Sequence, residues 1–272
     1  MLYEDSDLLA IEQPSGLLVD SEAGSSAELT LIDLLHHGLN HGAEWAKRRG
    51  LRFLGSAFRL DAESSGVVLL AKSPAVLHQL ADQFGAEKPH WLFKALIEGA
   101  PVEESFTVSI PLCRPSRNDG WVRASIRLGK KARTDFRVFE RLRSYSMLEC
   151  RPLNSRPHQI RAHLREVGLA VVGDHFYGGR LLRLSQLKSS YRAKREVPEK
   201  PLLGRPAIHA ERITFLHPAS GQEVSITSPL ARDFSVALKY LRRYDAPANP
   251  TFKDSPVRGH HPAPRHRPPR FP

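Results

Sequence analysis

A chain of 272 residues with a hydrophobic fraction of 41% is long enough to bury a substantial core, and its 40 basic against 29 acidic residues leave a formal net charge of +11. From the acidic opening MLYEDSD and the lack of any apolar run near the ~18 residues of a spanning helix, no signal segment or spanning helix is expected, while Cys113 and Cys150, in unrelated contexts and with no partner at metal-ligand spacing, are expected as free thiols rather than a disulfide. The composition therefore predicts a soluble cytoplasmic protein with little to support metal chemistry, and its charge points to a polyanionic partner.

In chain order, LLAIEQPSGLLV reads as strand, Pro-Ser-Gly turn, strand, and LTLIDLLHHGL as a helix. FRLDAESSGVVLLA, Phe58 to Ala71, sets a lone carboxylate, Asp61, before a Ser-Ser-Gly turn and an apolar run with the character of a buried strand. PAVLHQLADQF is a helix opened by Pro74. WLFKALIEG, SFTVSI, TDFRVFERL and SMLECRPL are four strand-like runs separated by polar turns. At NSRPHQIRAHLREVG the pattern turns helical: Asn154 or Ser155 can cap, Pro157 suits the first turn, Ile160, Leu164 and Val167 share a face, and Gly168 ends it. Strands outnumber helices mid-chain without strict alternation, which predicts a mixed α/β (α+β) fold rather than a doubly wound one.

Two segments hold most of the excess charge. Residues 180 to 205 carry eight Lys or Arg and two Glu, and the leucines Leu181, Leu184 and Leu187 with Tyr191 suggest a helix docked on the body with Arg192, Lys194 and Arg195 outward, toward phosphates. From Ala246 the chain is rich in Pro, His and Arg and nearly without aliphatic residues, so residues 1–245 are expected to form the folded body and 246–272 a disordered basic tail.

Singly these motifs are common. In order, FRLDAESSG, FKALIEG, RPHQIRAHL, GDHFYGG and AIHAERITFLHP resemble the motif series of the RluA-type RNA pseudouridine synthases, from about Leu8 to Leu241. The resemblance implies the catalytic domain of that family without the small RNA-binding module that many relatives carry ahead of it. Its fold would be a long, mainly antiparallel bent sheet with peripheral helices and a central cleft. It implies an isomerase that detaches uracil from its ribose, turns it and rejoins it through carbon 5 with no cofactor or metal, acting on structured ribosomal or transfer RNA; a monomer is expected.

By the same resemblance Asp61 is the catalytic carboxylate, as nucleophile or as stabiliser of positive charge at the sugar, and Arg161 is its ion-pair partner. At about 4 Å and an effective dielectric near 20, that attraction is on the order of 4 kcal/mol before desolvation. Arg59 is expected to fill the space left by the flipped base, and Phe93 to stack on it. His158, Gln159 and Tyr177 join them as RNA-contacting positions, while Asp174, Gly178 and Tyr177 itself shape a loop beside the cleft and His209 supports the sheet. Phe93 stands where the family ordinarily has tyrosine, keeping the aromatic face without the hydroxyl, and Phe58 stands where a histidine is usual. Phe93 and the altered RPHQIR approach, where Ser155 and Pro157 replace the usual Gly and Thr, motivate the alternative of a catalytically weak RNA-binding or chaperone-like relative.

Overall fold

The computed structural model describes residues 1–20, 29–114, 122–192 and 197–247. The chain opens with β1 (Tyr3–Glu4) and β2 (Leu8–Gln13), then α1 (Leu31–Asn40) and the short α2 (Glu44–Lys47). β3 (Ser65–Ala71), α3 (Pro74–Gly85), β4 (His90–Glu98), β5 (Ser105–Val108), β6 (Leu112–Cys113), β7 (Arg123–Ala124), β8 (Thr134–Arg141) and β9 (Tyr145–Pro152) follow. After β9 come α4 (Gln159–Glu166), a 3-10 turn at His175–Tyr177, α5 (Leu184–Leu187), β10 (Ile208–Leu216), β11 (Glu223–Thr227) and α6 (Arg232–Tyr244). Among the described residues no helix is long and apolar enough to cross a membrane.

Nine strands form one sheet in the order β1-β2-β3-β10-β4-β9-β8-β5, with β11 also on β10. Every pairing is antiparallel except β3 with β10, which is parallel at His209 and Ala210. β10 changes register at Ala210/Arg212; before that point its free edge takes β3, after it β11, so the sheet bends and divides there. Gly66 makes the parallel contact possible. Its φ is +129°, and a Cβ would lie 2.2 Å from the Ala210 carbonyl oxygen.

The mixed α/β architecture with a long, mainly antiparallel sheet is the one expected. β3 is buried along its whole length, and β4 at every position from Trp91 to Ile97, as continuous apolar strands should be. On β4 alternation sends Phe93 and Lys94 to opposite faces, and the buried Lys94 ammonium is met there by Glu149 (3.1 Å) and Glu211 (3.6 Å). Thr30 and Asp33 close a capping box on α1, and Ser73 caps α3 ahead of Pro74. α6 lay outside the elements expected, yet Phe234, Ala237, Leu238 and Leu241 give it a regular buried face, each large side chain contributing about 1.5–3 kcal/mol.

Several local expectations are corrected. Residues 17–19 form no second strand; the carbonyls of Leu18 and Val19 instead accept the N–H groups of Leu31 and Ile32, which the first turn of α1 leaves without helical acceptors. The turn after Asp61 is closed by Ser64 N–H on the Asp61 carbonyl, while Ser65 and Gly66 already belong to β3. α4 starts at Gln159 with His158 as N-cap, because Asn154 is engaged elsewhere, accepting from Arg133 N–H (2.9 Å) and donating to Glu87 (2.7 Å).

The docked basic helix is not formed among the described residues. Leu182, not Leu181, is buried and pairs with Leu203 in an extended bridge, and α5 runs for only four residues before Ser189 and Ser190, which have no apolar side chain to continue its face. Arg180 and Arg205, at the ends of the segment, are ion-paired to Glu98 and Asp233. Arg192 is exposed; Lys194 and Arg195 lie outside the described residues, as does the tail from 248.

Candidate active site

A cleft of about 850 Å³ opens where the start of β3, the middle of β4 and the N-terminus of α4 meet. Its floor is set by the loop from Leu60 to Ser64. Leu60 is buried and anchors the loop to the core, and the Pro-Ser-Gly turn near the N-terminus props it: Gly16 N–H donates to the Ala62 carbonyl (2.7 Å) and Ser15 Oγ to the Glu63 carbonyl (2.7 Å). Asp61 thereby faces the first turn of α4 with 22% of its side chain accessible, and its Oδ1 accepts the His158 backbone N–H (3.2 Å). A helix N-terminus is a favourable place for a carboxylate.

Beneath Asp61 lies Arg161, 1% exposed. The pairing anticipated between them exists at 3.8 Å, but it is the longest of three carboxylate contacts. Arg161 Nε and Nη2 donate to the fully buried Asp174 at 2.6 and 2.9 Å, a bidentate bond, while Nη1 donates to Glu63 at 3.3 Å. Burial alone would push the guanidinium pKa down; hydrogen bonds and charge from Asp174, with Asp61 and Glu63 behind it, more than offset burial and raise it. Asp174 is thus the principal partner of Arg161 and not only a loop-shaping residue. Gly173 allows this loop, since a Cβ there would meet the Arg205 carbonyl at 2.2 Å.

Tyr177, expected at an RNA-contacting surface, is instead 2% exposed below the cleft, its ring 5.1 Å from the Arg161 guanidinium carbon. Burial pushes its pKa up to about 12, so it is a neutral phenol at working pH. Its hydroxyl meets His158 Nδ1 (3.0 Å) and both backbone groups of Val122. His158 itself sits in the left-handed region, at φ +50°, which is uncommon without a glycine.

Phe93 lines the cleft in an aromatic wall with Trp91 and Phe58. Ring centroids are 5.6 Å apart for Phe93–Trp91 and 4.5 Å for Phe58–Trp91. Arg59, Asp61, Phe93, His158 and Gln159 all line this one cleft, whereas Arg192 does not. Gln159 is buried; its amide donates to the Arg133 carbonyl and Thr134 hydroxyl, each at 3.0 Å, which ties the start of α4 to β8. Sequence reasoning passed over Glu63, Arg114 and Arg156 in the lining; the two arginines add positive charge to the rim. His209 is buried, hydrogen-bonded to Ser65 Oγ (2.9 Å) and the Ser228 carbonyl (3.3 Å), with its pKa pushed down to about 4 chiefly by burial.

A family model described as RNA pseudouridylate synthase matches residues 7–166. An uncharacterized RNA pseudouridine synthase of Chlorobaculum parvum is 33% identical over 246 residues, covering 89% of this chain and 74% of its own. A ribosomal large subunit pseudouridine synthase D of Xanthomonas campestris is 32% identical over 249 residues, covering 91% and 71%. Among solved structures, human RNA pseudouridylate synthase domain containing 4 superposes with a TM-score of 0.65 at 25% identity, over 89% of this chain and 92% of that one.

Proposed function

The chain belongs to the RNA pseudouridylate synthase family, and from that premise we propose that Asp61 is the carboxylate through which it isomerises uridine in RNA. The enzyme is an RNA pseudouridine synthase, an isomerase that breaks the bond between uracil N1 and ribose C1′ and forms one from C5 to C1′. In the proposed assignment Asp61 brings negative charge to C1′ as the N1 bond breaks, and Arg161, 3.8 Å away, orients that carboxylate. Phe93 stacks on the extruded base, Arg59 fills the space that base leaves, and Arg114 and Arg156 on the rim engage phosphates.

The observation that carries this reading is the division of labour among the acids around Arg161. Asp174 takes the bidentate bond in the dry interior, which leaves Asp61, partly accessible and held by one backbone N–H, turned to the cleft. We assign the substrate to ribosomal RNA of the large subunit, on the support of relatives named for that RNA at 29–33% identity. The test uses total RNA, from cells lacking the protein, with uracil tritiated at C5. Wild type should release label to water and Asp61→Asn should not, and mapped pseudouridines should fall in large-subunit RNA. Label release by Asp61→Asn at the wild-type rate defeats the assignment of Asp61; sites confined to other RNAs defeat that of the substrate.

A further inference from the structure

We propose that His158, through imidazole Nε2, is the group that takes the proton from uracil C5. This rests on the reading of the cleft given above. When the C5–C1′ bond forms, C5 carries both its hydrogen and the sugar. The C5–H bond must then break, its electron pair restoring the C5=C6 double bond, while N1, released from the sugar, acquires a proton. The reaction therefore moves one proton from C5 to N1 in net terms, and an acceptor must lie within reach of the base.

The cleft offers few acceptors. The wall of Phe93, Phe58 and Trp91 has no basic atom, Asp61 is assigned to the sugar, Glu63 is ion-paired to Arg161 at 3.3 Å, Glu87 accepts from the Asn154 amide at 2.7 Å, and Asp20 is the one further carboxylate among the described lining residues. His158 is the one imidazole among the described residues lining the cleft. Its neighbours determine which nitrogen carries the hydrogen. Tyr177 Oη has one proton and two lone pairs, and it meets Val122 N–H (3.0 Å), the Val122 carbonyl (3.3 Å) and His158 Nδ1 (3.0 Å). All three contacts are hydrogen bonds in one arrangement: the hydroxyl donates to the Val122 carbonyl and accepts from Val122 N–H and from Nδ1–H. A neutral imidazole with its hydrogen on Nδ1 presents a lone pair on Nε2, and Nε2 has no hydrogen-bond partner among the described residues.

Position agrees with this role. The His158 backbone N–H bonds Asp61 Oδ1, so the imidazole is tethered one residue from the carboxylate assigned to the sugar of the same nucleotide. Its left-handed backbone, φ +50° and ψ 20°, is unfavourable for a residue with a Cβ, and the contacts to Asp61 and Tyr177 hold it there.

The decisive variant is His158→Asn. Asparagine tolerates the left-handed region, and its amide N–H can replace Nδ1–H toward Tyr177, but nothing replaces Nε2. Single-turnover isomerisation is measured on total RNA from cells lacking the protein, with uracil carrying hydrogen, deuterium or tritium at C5. His158→Asn should slow label release roughly 10²–10⁴-fold and raise the deuterium isotope effect at C5 well above that of wild type, since proton removal becomes limiting. Imidazole added to His158→Ala should restore part of the rate. An unchanged rate in His158→Asn, or a slowed rate without a larger isotope effect, overturns the proposal and leaves the Asp61 assignment standing. Failure of wild type to release any label overturns both.

Discussion

Replacing Asp174 by asparagine removes one charge from a pair with almost no water contact, Arg161 being 1% and Asp174 0% exposed. With charge centres about 4 Å apart and an effective dielectric near 20, the lost attraction is about 4 kcal/mol, within the ~3–5 kcal/mol typical of breaking a buried pair. Geometry adjusts that figure in both directions. The asparagine oxygen can still accept one of the N–H groups now bonded at 2.6 and 2.9 Å, but its amide nitrogen then faces the other. Glu63 at 3.3 Å and Asp61 at 3.8 Å remain to balance the guanidinium. The expected loss is therefore about 3 kcal/mol, read in urea by far-UV circular dichroism as a midpoint lowered by about 1 M for a slope near 3 kcal/mol/M. The double variant Arg161→Met/Asp174→Leu should recover much of this stability while abolishing isomerisation, since the pair serves the site more than the fold. A loss below about 1 kcal/mol for Asp174→Asn would refute the reasoning, because Glu63 and Asp61 would then suffice to hold Arg161.

Gly66→Ala should cost about 3 kcal/mol or more, seen as a lowered thermal midpoint, since a Cβ 2.2 Å from the Ala210 carbonyl must force β3 from β10; a near-normal midpoint would deny the close approach. His209 is held near pKa 4 when folded against 6.5 when unfolded, so the unfolded chain binds the extra proton between those values. Stability is full above pH 6.5 and falls by about 3 kcal/mol as the pH drops to about 4, and His209→Asn should flatten that fall, measured by urea titrations across the range. Equal pH slopes in the two proteins would refute it. Arg156→Ala should weaken RNA binding measured by fluorescence anisotropy and reduce the slope of log K against log salt by roughly 0.7; an unchanged slope means Arg156 holds no phosphate.

The elements with a complete local signal were legible in the chain. The apolar runs of β3 and β4, the Pro74 opening of α3 and the Thr30 region of α1 carry their instructions within a few residues, because burial pattern and capping act over one or two turns. α4 was legible as a helix but not in its start: Asn154, an able cap by residue type, is drawn off by Arg133 and Glu87, residues remote in the chain. The basic segment misled for a similar reason. Its leucine spacing suits a helix, yet the bridge from Leu182 to Leu203 holds its first residues extended.

At the site, the ordered motifs singled out Asp61 and Arg161 with no spatial information, since a series of local patterns is a property of the chain. How many acids share that arginine was not. Glu63 lies two residues from Asp61, and Asp174 stands in a motif that reads first as a turn; only the packing of α4 against the loops at 61–64 and 173–178 brings three carboxylates to one guanidinium and leaves Asp61 facing the cleft. The tautomer of His158 belongs to the same class, because it depends on a hydroxyl from Tyr177 and a backbone from Val122. The sequence by itself determined which residue types are available and which local elements they form. The tertiary structure decided which charges share a partner and which polar groups meet at hydrogen-bond distance, since those depend on distances between groups far apart in the chain.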